Sequence, residues 1–205
     1  NESVYRYLAC HPIAHMPQIF KVYRGDRYLV VVEEYIEGSS LSEYLKEGTF
    51  EPFEAARIVR DLCCILNELH TLECPIIHRD IKPSNVMLTK SGEVVLLDMN
   101  VAKWYDSEEK EDTRLLGTKD YAAPEQAGYG MKASSDKTDI YAVGILLNVM
   151  LTGKLPKEKP AQGKLWDIIE RCISLDADTR YSADELIERL DNYLGENTNA
   201  GKKDR

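Results

Sequence analysis

The pattern of apolar and polar positions predicts a short sheet followed by a mostly helical region. Residues 18–24 and 28–33 are rich in Val, Ile, Tyr and Phe and flank Gly25 and Asp26, which indicates an antiparallel hairpin. After Gly38 the apolar residues recur at helical spacing, and a serine is placed to cap the first helix. The other predicted elements are strands at 85–88 and 94–97 and helices at 52–71, 138–152, 164–174 and 182–194.

Composition and charge narrow the class of protein. The 205 residues are 43% hydrophobic, which is enough for one sizeable core. The formal net charge of −9 disfavours a nonspecific grip on nucleic acid, so no nucleic-acid partner is expected. No apolar run approaches the ~20 residues of a membrane helix. The first residues lack the pattern of a signal peptide, and we therefore expect a cytoplasmic protein without a membrane segment.

The stretch IIHRDIKPSNVML, residues 76–88, places five costly polar side chains beside what looks like a buried strand. Polar groups buried beside a strand cost several kcal/mol unless they are paired. Such a cluster usually persists where a functional site needs it. The stretch is therefore the candidate site of the chain.

Residues 78–85, HRDIKPSN, resemble the catalytic loop of eukaryotic-type protein kinases, and Lys82 is typical of the serine/threonine variant. Asp98, in the triplet Asp-Met-Asn, stands where that family carries the aspartate of its DFG triplet. Residues 117–125 resemble the end of an activation segment, and residues 139–144 resemble the start of the buried helix beneath it. The resemblance covers about residues 16–194.

The resemblance implies an α+β, protein-kinase-like fold, with a mainly helical C-terminal lobe and a remnant of the N-terminal lobe sheet. It divides the chain into a partial small lobe with the hinge at 1–36 and a large lobe at 37–194. It also implies that Arg180 pairs with Glu125. Residues 195–205 contain no apolar residue larger than alanine, so a disordered tail is predicted there.

The resemblance gives the polar cluster a chemistry. Asp80 would accept or orient the proton of the substrate hydroxyl, and Lys82 would steady the transferred phosphoryl group. Asn85 and Asp98 would hold Mg²⁺, a hard cation that prefers oxygen ligands. In the alternative interpretation, Asp80 caps a turn and Asn85 satisfies local backbone groups.

The stretch VVEEYIEGSSL resembles the kinase hinge, which binds adenine through backbone groups. The alignment makes the Glu34 carbonyl and the Ile36 amide the adenine partners and Met87 the apolar floor of an ATP site. An amphipathic strand that runs into a turn would look similar.

Arg79 resembles the arginine of those kinases whose activation segment is ordered by a phosphate. Ser107 and Thr113 are the nearest candidate acceptors. Exposed loop hydroxyls that are only solvated are the alternative.

Two parts of the kinase pattern have no match in this chain: the glycine-rich loop and the strand lysine that grips the ATP phosphates. We therefore expect a piece of a longer protein that transfers phosphate poorly by itself. Glu2, nine residues before His11, has the spacing of the helix glutamate that pairs with this lysine. Val4, Tyr5 and Leu8 fit that helix one residue out of register, and a solvated terminal glutamate is the alternative.

Three further positions depart from the family. Met99 can fill the apolar slot of the usual phenylalanine, and Asn100 is expected to take the left-handed backbone of the usual glycine. Glu33 falls at the gatekeeper position behind the adenine pocket, where it would need a cation or a proton, unless the alignment slips by one residue. Residues 153–163 leave no room for the αG helix, a usual docking surface for substrates and partners.

The resemblance implies an ATP- and Mg²⁺-dependent serine/threonine protein kinase that transfers the γ-phosphoryl group to hydroxyls of a protein substrate. The Asp-Met-Asn triplet and the shortened region at 153–163 resemble divergent bacterial members. One alternative is a pseudokinase that signals by contact. Another is a small-molecule phosphotransferase of the same fold, which Lys82 and the AAPE segment disfavour. The sequence does not indicate the oligomeric state.

Overall fold

The computed structural model describes residues 1–105, 118–127 and 134–200. Within these residues the chain forms six α-helices and seven short β-strands. The helices are α1 (Glu2–Cys10), α2 (Leu41–Glu47), α3 (Pro52–His70), α4 (Asp136–Thr152), α5 (Lys164–Cys172) and α6 (Ala183–Ala200). The strands are β1 (Ile19–Arg24), β2 (Leu29–Glu33), β3 (Gly38–Ser40), β4 (Ile76–Ile77), β5 (Val86–Thr89), β6 (Val94–Leu96) and β7 (Lys103–Trp104). The mixture of helices and small sheets confirms the α+β class.

The predicted hairpin forms from β1 and β2, which pair antiparallel with Val22 opposite Val31. The Gly25 N–H closes the turn by donating to the Tyr28 carbonyl at 2.9 Å. Helix α1 lies against β1 and buries its apolar face. The hairpin and α1 therefore pack together as one unit.

A second sheet has the strand order β3-β5-β6 and contains the predicted pair of strands as β5, at its centre, and β6, at one edge. At Gly38 a Cβ atom would lie 2.2 Å from the Leu88 carbonyl oxygen, so only glycine permits this approach of β3 to β5. A third sheet pairs Ile76 of β4 with Trp104 of β7. These two small sheets hold the polar stretch between β4 and β5.

The helical core is built around α3 and α4. Helix α3 begins with Pro52 at its first turn, where the missing N–H costs nothing, and its buried stripe faces α4 and α6. Helix α4 is apolar on most sides and is buried along nearly its whole length, as expected for a central helix. It ends at Gly153, whose φ of +70° is the left-handed geometry that glycine accepts.

The C-terminal helix extends further than the sequence predicts. Helix α6 continues to Ala200, so the predicted disordered tail at 195–205 is wrong for residues 195–200. Leu186 and Leu190 anchor the helix in the core, and adding residues to an existing helix is far easier than starting one. Residues 201–205 lie outside the described residues. The segment 153–163 contains no helix, as predicted.

None of the helices that the structure describes has both the length and the apolar character required to cross a membrane.

Candidate active site

The Asp80 carboxylate is held from both sides in the loop between β4 and β5. Its Oδ1 accepts hydrogen bonds from the Thr118 backbone N–H at 3.0 Å and from the Thr118 hydroxyl at 2.8 Å. Its Oδ2 accepts from Lys82 Nζ at 2.6 Å and from Asn85 Nδ2 at 3.2 Å. Lys82 Nζ also donates to the Thr118 hydroxyl at 3.0 Å. Together these contacts leave the carboxylate one orientation.

Asp139, near the start of α4, fastens this loop from below. Its side chain accepts the backbone N–H groups of His78 and Arg79 at 2.9 and 2.7 Å and contacts His70 Nε2 at 2.8 Å. Burial alone would raise the pKa of Asp139, but the hydrogen bond to His70 and the charges of His70 and His78 lower it below its usual value. Asp139 is therefore an ionised buried anchor.

Gln126 ties the same loop to the turn at Pro124–Ala127. Its Nε2 donates to the Arg79 carbonyl at 2.8 Å, and its Oε1 accepts the Ala123 N–H at 2.9 Å. Arg79 has a φ of +69°, which is costly for a residue other than glycine and needs such support. Gln126 could not be identified from the sequence, because nothing in the sequence pattern around a single glutamine indicates that its side chain is buried.

The Asp98 segment lies directly beside the loop. His78 Nε2 contacts the Leu97 carbonyl at 3.0 Å, and the Leu97 N–H donates to the Asn85 carbonyl at 2.8 Å. The residue before Asp98 is thus bonded to the two ends of the 78–85 stretch. The structure therefore brings together the predicted site residues Asp80, Lys82 and Asn85 and places the segment that carries Asp98 beside them.

In the triplet at 98–100, the prediction for Met99 is confirmed, whereas the prediction for the backbone of Asn100 is wrong. Met99 is 2% exposed and fills an apolar slot, as predicted. The left-handed residue, however, is Asp98, with a φ of +66°, and not Asn100. The reason is a local turn in which the Asn100 N–H donates to Asp98 Oδ1 at 2.9 Å.

Comparison with known proteins identifies the family. The protein kinase domain family model matches residues 4–164, which is most of the chain. The chain belongs to the protein kinase domain family.

Relatives of this kinase domain occur in bacteria and plants. Over 145 residues it is 35% identical to serine/threonine-protein kinase PrkC of Bacillus subtilis (strain 168), an alignment that covers 68% of this chain and 22% of that protein. Over 191 residues it is 29% identical to mitogen-activated protein kinase kinase 1 of Arabidopsis thaliana, covering 77% of this chain and 52% of that protein. The chain thus matches about a fifth to a half of the length of these curated relatives.

The residues aligned with the kinase hinge follow β2. The Glu34 N–H is used by the hairpin, where it donates to the Gln18 carbonyl at 2.9 Å. Within the described part of the chain, the Glu34 carbonyl and the Ile36 N–H form no hydrogen bond. Met87 lies on β5 between Ser40 and Val95 and is half-buried. These backbone groups are available to a ligand.

Glu33, which the sequence alignment places at the gatekeeper position, ends the exposed strand β2. Partial burial raises its pKa, and the Asp98 carboxylate raises it further. Both residues line a narrow cavity together with Tyr5 and Met99. Among the described residues Glu33 forms no ion pair with a lysine or arginine.

Two remaining predictions concern Glu2 and the activation segment. The Glu2 carboxylate bonds to Arg24 at 2.5 Å and to Arg6 at 2.8 Å, and these hydrogen bonds lower its pKa. Its pairing with a strand lysine stays a prediction. Ser107 and Thr113 lie outside the described residues.

Proposed function

We propose that this kinase domain carries the phosphoryl-transfer site of an ATP- and Mg²⁺-dependent protein serine/threonine kinase. The observation that supports the proposal is the convergence of Lys82, Asn85 and Thr118 on the Asp80 carboxylate. A carboxylate that only capped a turn would not need a lysine, an amide and a hydroxyl from segments 38 residues apart. The similarity to serine/threonine-protein kinase PrkC of Bacillus subtilis also supports the proposal.

Asp80 acts on the substrate hydroxyl in this proposal. Its carboxylate is 11% exposed, so it is accessible at one side while its hydrogen bonds keep it in place. It accepts or orients the hydroxyl proton as the oxygen attacks the γ-phosphorus. Lys82, whose Nζ lies 2.6 Å from Asp80, places a positive charge beside the transferred phosphoryl group.

The oxygen atoms of Asn85 and Asp98 fit Mg²⁺. Asn85 directs its Nδ2 to the Asp80 carbonyl at 2.9 Å, and its Oδ1 accepts only a long contact from the Ser84 hydroxyl at 3.5 Å, so this oxygen can also bind a cation. Asp98 would supply the second oxygen ligand, because the N–H of Leu97, the residue before it, donates to the Asn85 carbonyl at 2.8 Å. The described residues contain no cluster of three or more His, Cys, Asp or Glu side chains suited to a metal. Two protein ligands suit Mg²⁺, which takes its other ligands from water and phosphate and, when bound, neutralises the charge of the phosphates.

The hinge supplies the adenine contacts. The Glu34 carbonyl accepts from the adenine amino group, and the Ile36 N–H donates to a ring nitrogen. Met87 covers one face of the ring with an apolar side chain. Because these contacts use backbone groups, the side chains at 34 and 36 are free to vary.

Transfer of labelled phosphate tests the proposal. The 205-residue chain, and a version extended by any coding sequence that precedes residue 1, are incubated with γ-labelled ATP, Mg²⁺ and a protein substrate rich in Ser and Thr. We expect labelling that falls by about 10²- to 10⁴-fold in Asp80→Asn, because that change removes the proton acceptor. Lys90→Ala, which breaks an exposed ion pair with Glu37, is the control.

Labelling above background that is equal in the wild type and Asp80→Asn would contradict the catalytic role of Asp80. A thermal shift induced by Mg²⁺ and ATP without any transfer would instead identify a pseudokinase. The absence of both would leave the site without a nucleotide function.

A further inference from the structure

Tyr5 brings a hydroxyl group into the apolar face of α1. It lies between Val4 and Leu8 in the buried stripe of the helix, and only 3% of its surface is exposed. A buried tyrosine hydroxyl costs free energy unless it finds a hydrogen-bond partner. The partners of this hydroxyl lie in the loop that carries Asp98.

The Tyr5 hydroxyl bridges two groups of the triplet at 98–100. The Met99 N–H donates to it at 3.1 Å, and the hydroxyl donates to Asn100 Oδ1 at 3.2 Å. A hydroxyl group has one hydrogen and two lone pairs, so it satisfies both contacts at once. Burial and then the Asp98 carboxylate raise the pKa of Tyr5, so the hydroxyl keeps the hydrogen that it donates.

The bonds of Tyr5 continue to Asp98. The Asn100 N–H donates to Asp98 Oδ1 at 2.9 Å, and Asp98 has a left-handed backbone that residues other than glycine rarely adopt. The two residues after Asp98 must therefore be held for its carboxylate to keep this direction. We propose that Tyr5 and Asn100 form a hydroxyl–amide latch that positions Asp98 for Mg²⁺, an inference that rests on the proposed function.

The latch accounts for Asn100 in the place of the family's glycine. Glycine has no side chain to accept the Tyr5 hydrogen, and the backbone of Asn100 is not left-handed. The amide oxygen is therefore the feature that Asn100 contributes. The latch also joins the triplet to α1, which is fastened nearby through Ser3, because Trp104 Nε1 donates to the Ser3 hydroxyl at 3.0 Å.

Amide hydrogen exchange of Met99, measured by NMR on the chain without nucleotide, tests the latch. In Tyr5→Phe we expect exchange at Met99 to accelerate on the order of tenfold, because the ring still packs while the acceptor is lost. Asn100→Ala should accelerate exchange at Met99 less than Tyr5→Phe does. The double variant should exchange no faster than Tyr5→Phe. Asn100→Asp keeps an acceptor oxygen and should therefore retain the wild-type rate of exchange at Met99. Tyr7→Phe is the matched control on the same helix.

Unchanged exchange in Tyr5→Phe, or effects of Tyr5→Phe and Asn100→Ala that simply add, would overturn the latch. If Tyr5→Phe does not fold, Asn100→Ala and Asn100→Asp decide: equal exchange rates in these two variants also overturn it. Amides in α3 report global unfolding and should not change.

Binding of Mn²⁺ alone, followed by its electron spin resonance signal, adds a functional readout. The affinity should fall several-fold in Tyr5→Phe and Asn100→Ala but not in Asn100→Asp or Tyr7→Phe. A wild-type chain that binds no Mn²⁺ would count against the proposed metal site, whereas exchange at Met99 still decides whether the latch exists.

Discussion

Arg180 and Glu125, which are 55 residues apart, form a bidentate ion pair inside the protein. Nη1 donates to Oε1 at 2.7 Å and Nη2 to Oε2 at 3.0 Å, and the two side chains are 0% and 6% exposed. The pairing confirms the expectation drawn from the kinase resemblance. It fixes the turn at Pro124–Ala127 against α4, because the Glu125 carboxylate also accepts the Thr138 hydroxyl at 2.9 Å. The same turn carries Gln126, whose Nε2 donates to the Arg79 carbonyl in the loop between β4 and β5.

Removal of one partner of the Arg180–Glu125 ion pair should therefore destabilise the folded protein. We expect Glu125→Ala to lower the free energy of unfolding by about 3–5 kcal/mol, since it leaves a buried guanidinium without its counter-ion. Urea denaturation followed by circular dichroism measures the loss. The exposed pair Lys90–Glu37 is the control, and Lys90→Ala should change stability by less than about 1 kcal/mol. A loss in Glu125→Ala no larger than in Lys90→Ala would contradict the structural role of the pair.

The lowered pKa of Asp139 should make the folding stability of the protein depend on pH in the acid range. Its pKa is lowered in the folded state from the ordinary value of 3.8, so its contribution to stability is present above pH 3.8 and is lost as pH falls through the folded pKa. Asp139→Asn should unfold at a lower temperature than the wild type at pH 7. The difference between the two proteins should shrink below about pH 4. A difference in melting temperature that stays constant from pH 7 to pH 3 would refute the ionised anchor.

The raised pKa of Glu33 should make the folding stability depend on pH in the opposite direction. Its pKa is raised above the ordinary value of 4.5, so its stabilising effect is complete below pH 4.5 and is lost as pH rises through the folded pKa. Glu33→Gln should therefore be more stable than the wild type at pH 7 and equally stable at pH 4. Glu34→Gln, one residue further along, is the matched control. Thermal melts that show no gain for Glu33→Gln at pH 7 would speak against the carboxylate being disfavoured there.

Thr118 should matter through its hydroxyl. Thr118→Val keeps the shape of the side chain but removes the bonds to Asp80 and Lys82, and we expect turnover to fall on the order of tenfold or more. Thr118→Ser keeps the hydroxyl and should retain most of the activity. The labelled-phosphate assay measures both variants at saturating ATP. Similar turnover in the serine and valine variants would show that the Thr118 hydroxyl does not orient Asp80.

Much of the fold could be predicted from the periodicity of apolar residues. The hairpin, α3, α4, α5 and the β5–β6 pair are long or strongly patterned, and each lies within a few residues of its predicted bounds. Sheet pairings between distant short strands could not be predicted, since Ile76–Ile77 and Lys103–Trp104 are only two residues each. The end of α6 was also missed, because a helix continues from its packed part into a polar sequence that has no helical signal of its own.

The site residues were predicted from the kinase motifs, whereas the contacts between them required coordinates. Motif spacing cannot show that the Thr118 hydroxyl meets Asp80 or that Gln126 reaches the Arg79 carbonyl. The backbone of the triplet was assigned by analogy with glycine at position 100. The error arose because the side chain of Asn100, and not its backbone, makes the long-range contact to Tyr5.

The proposed function requires that Asn85 and Asp98 together hold the metal beneath the terminal phosphates of a nucleotide, next to Asp80. A crystal structure with Mn²⁺ and a non-hydrolysable ATP analogue, with the metal located by its anomalous signal, tests this arrangement. We expect one strong peak within about 2.0–2.6 Å of Asn85 Oδ1 and an Asp98 carboxylate oxygen. We also expect adenine to bind at Glu34 and Ile36. A peak elsewhere on the molecule, with no metal bound to Asp98, would show that the proposed metal site is wrong.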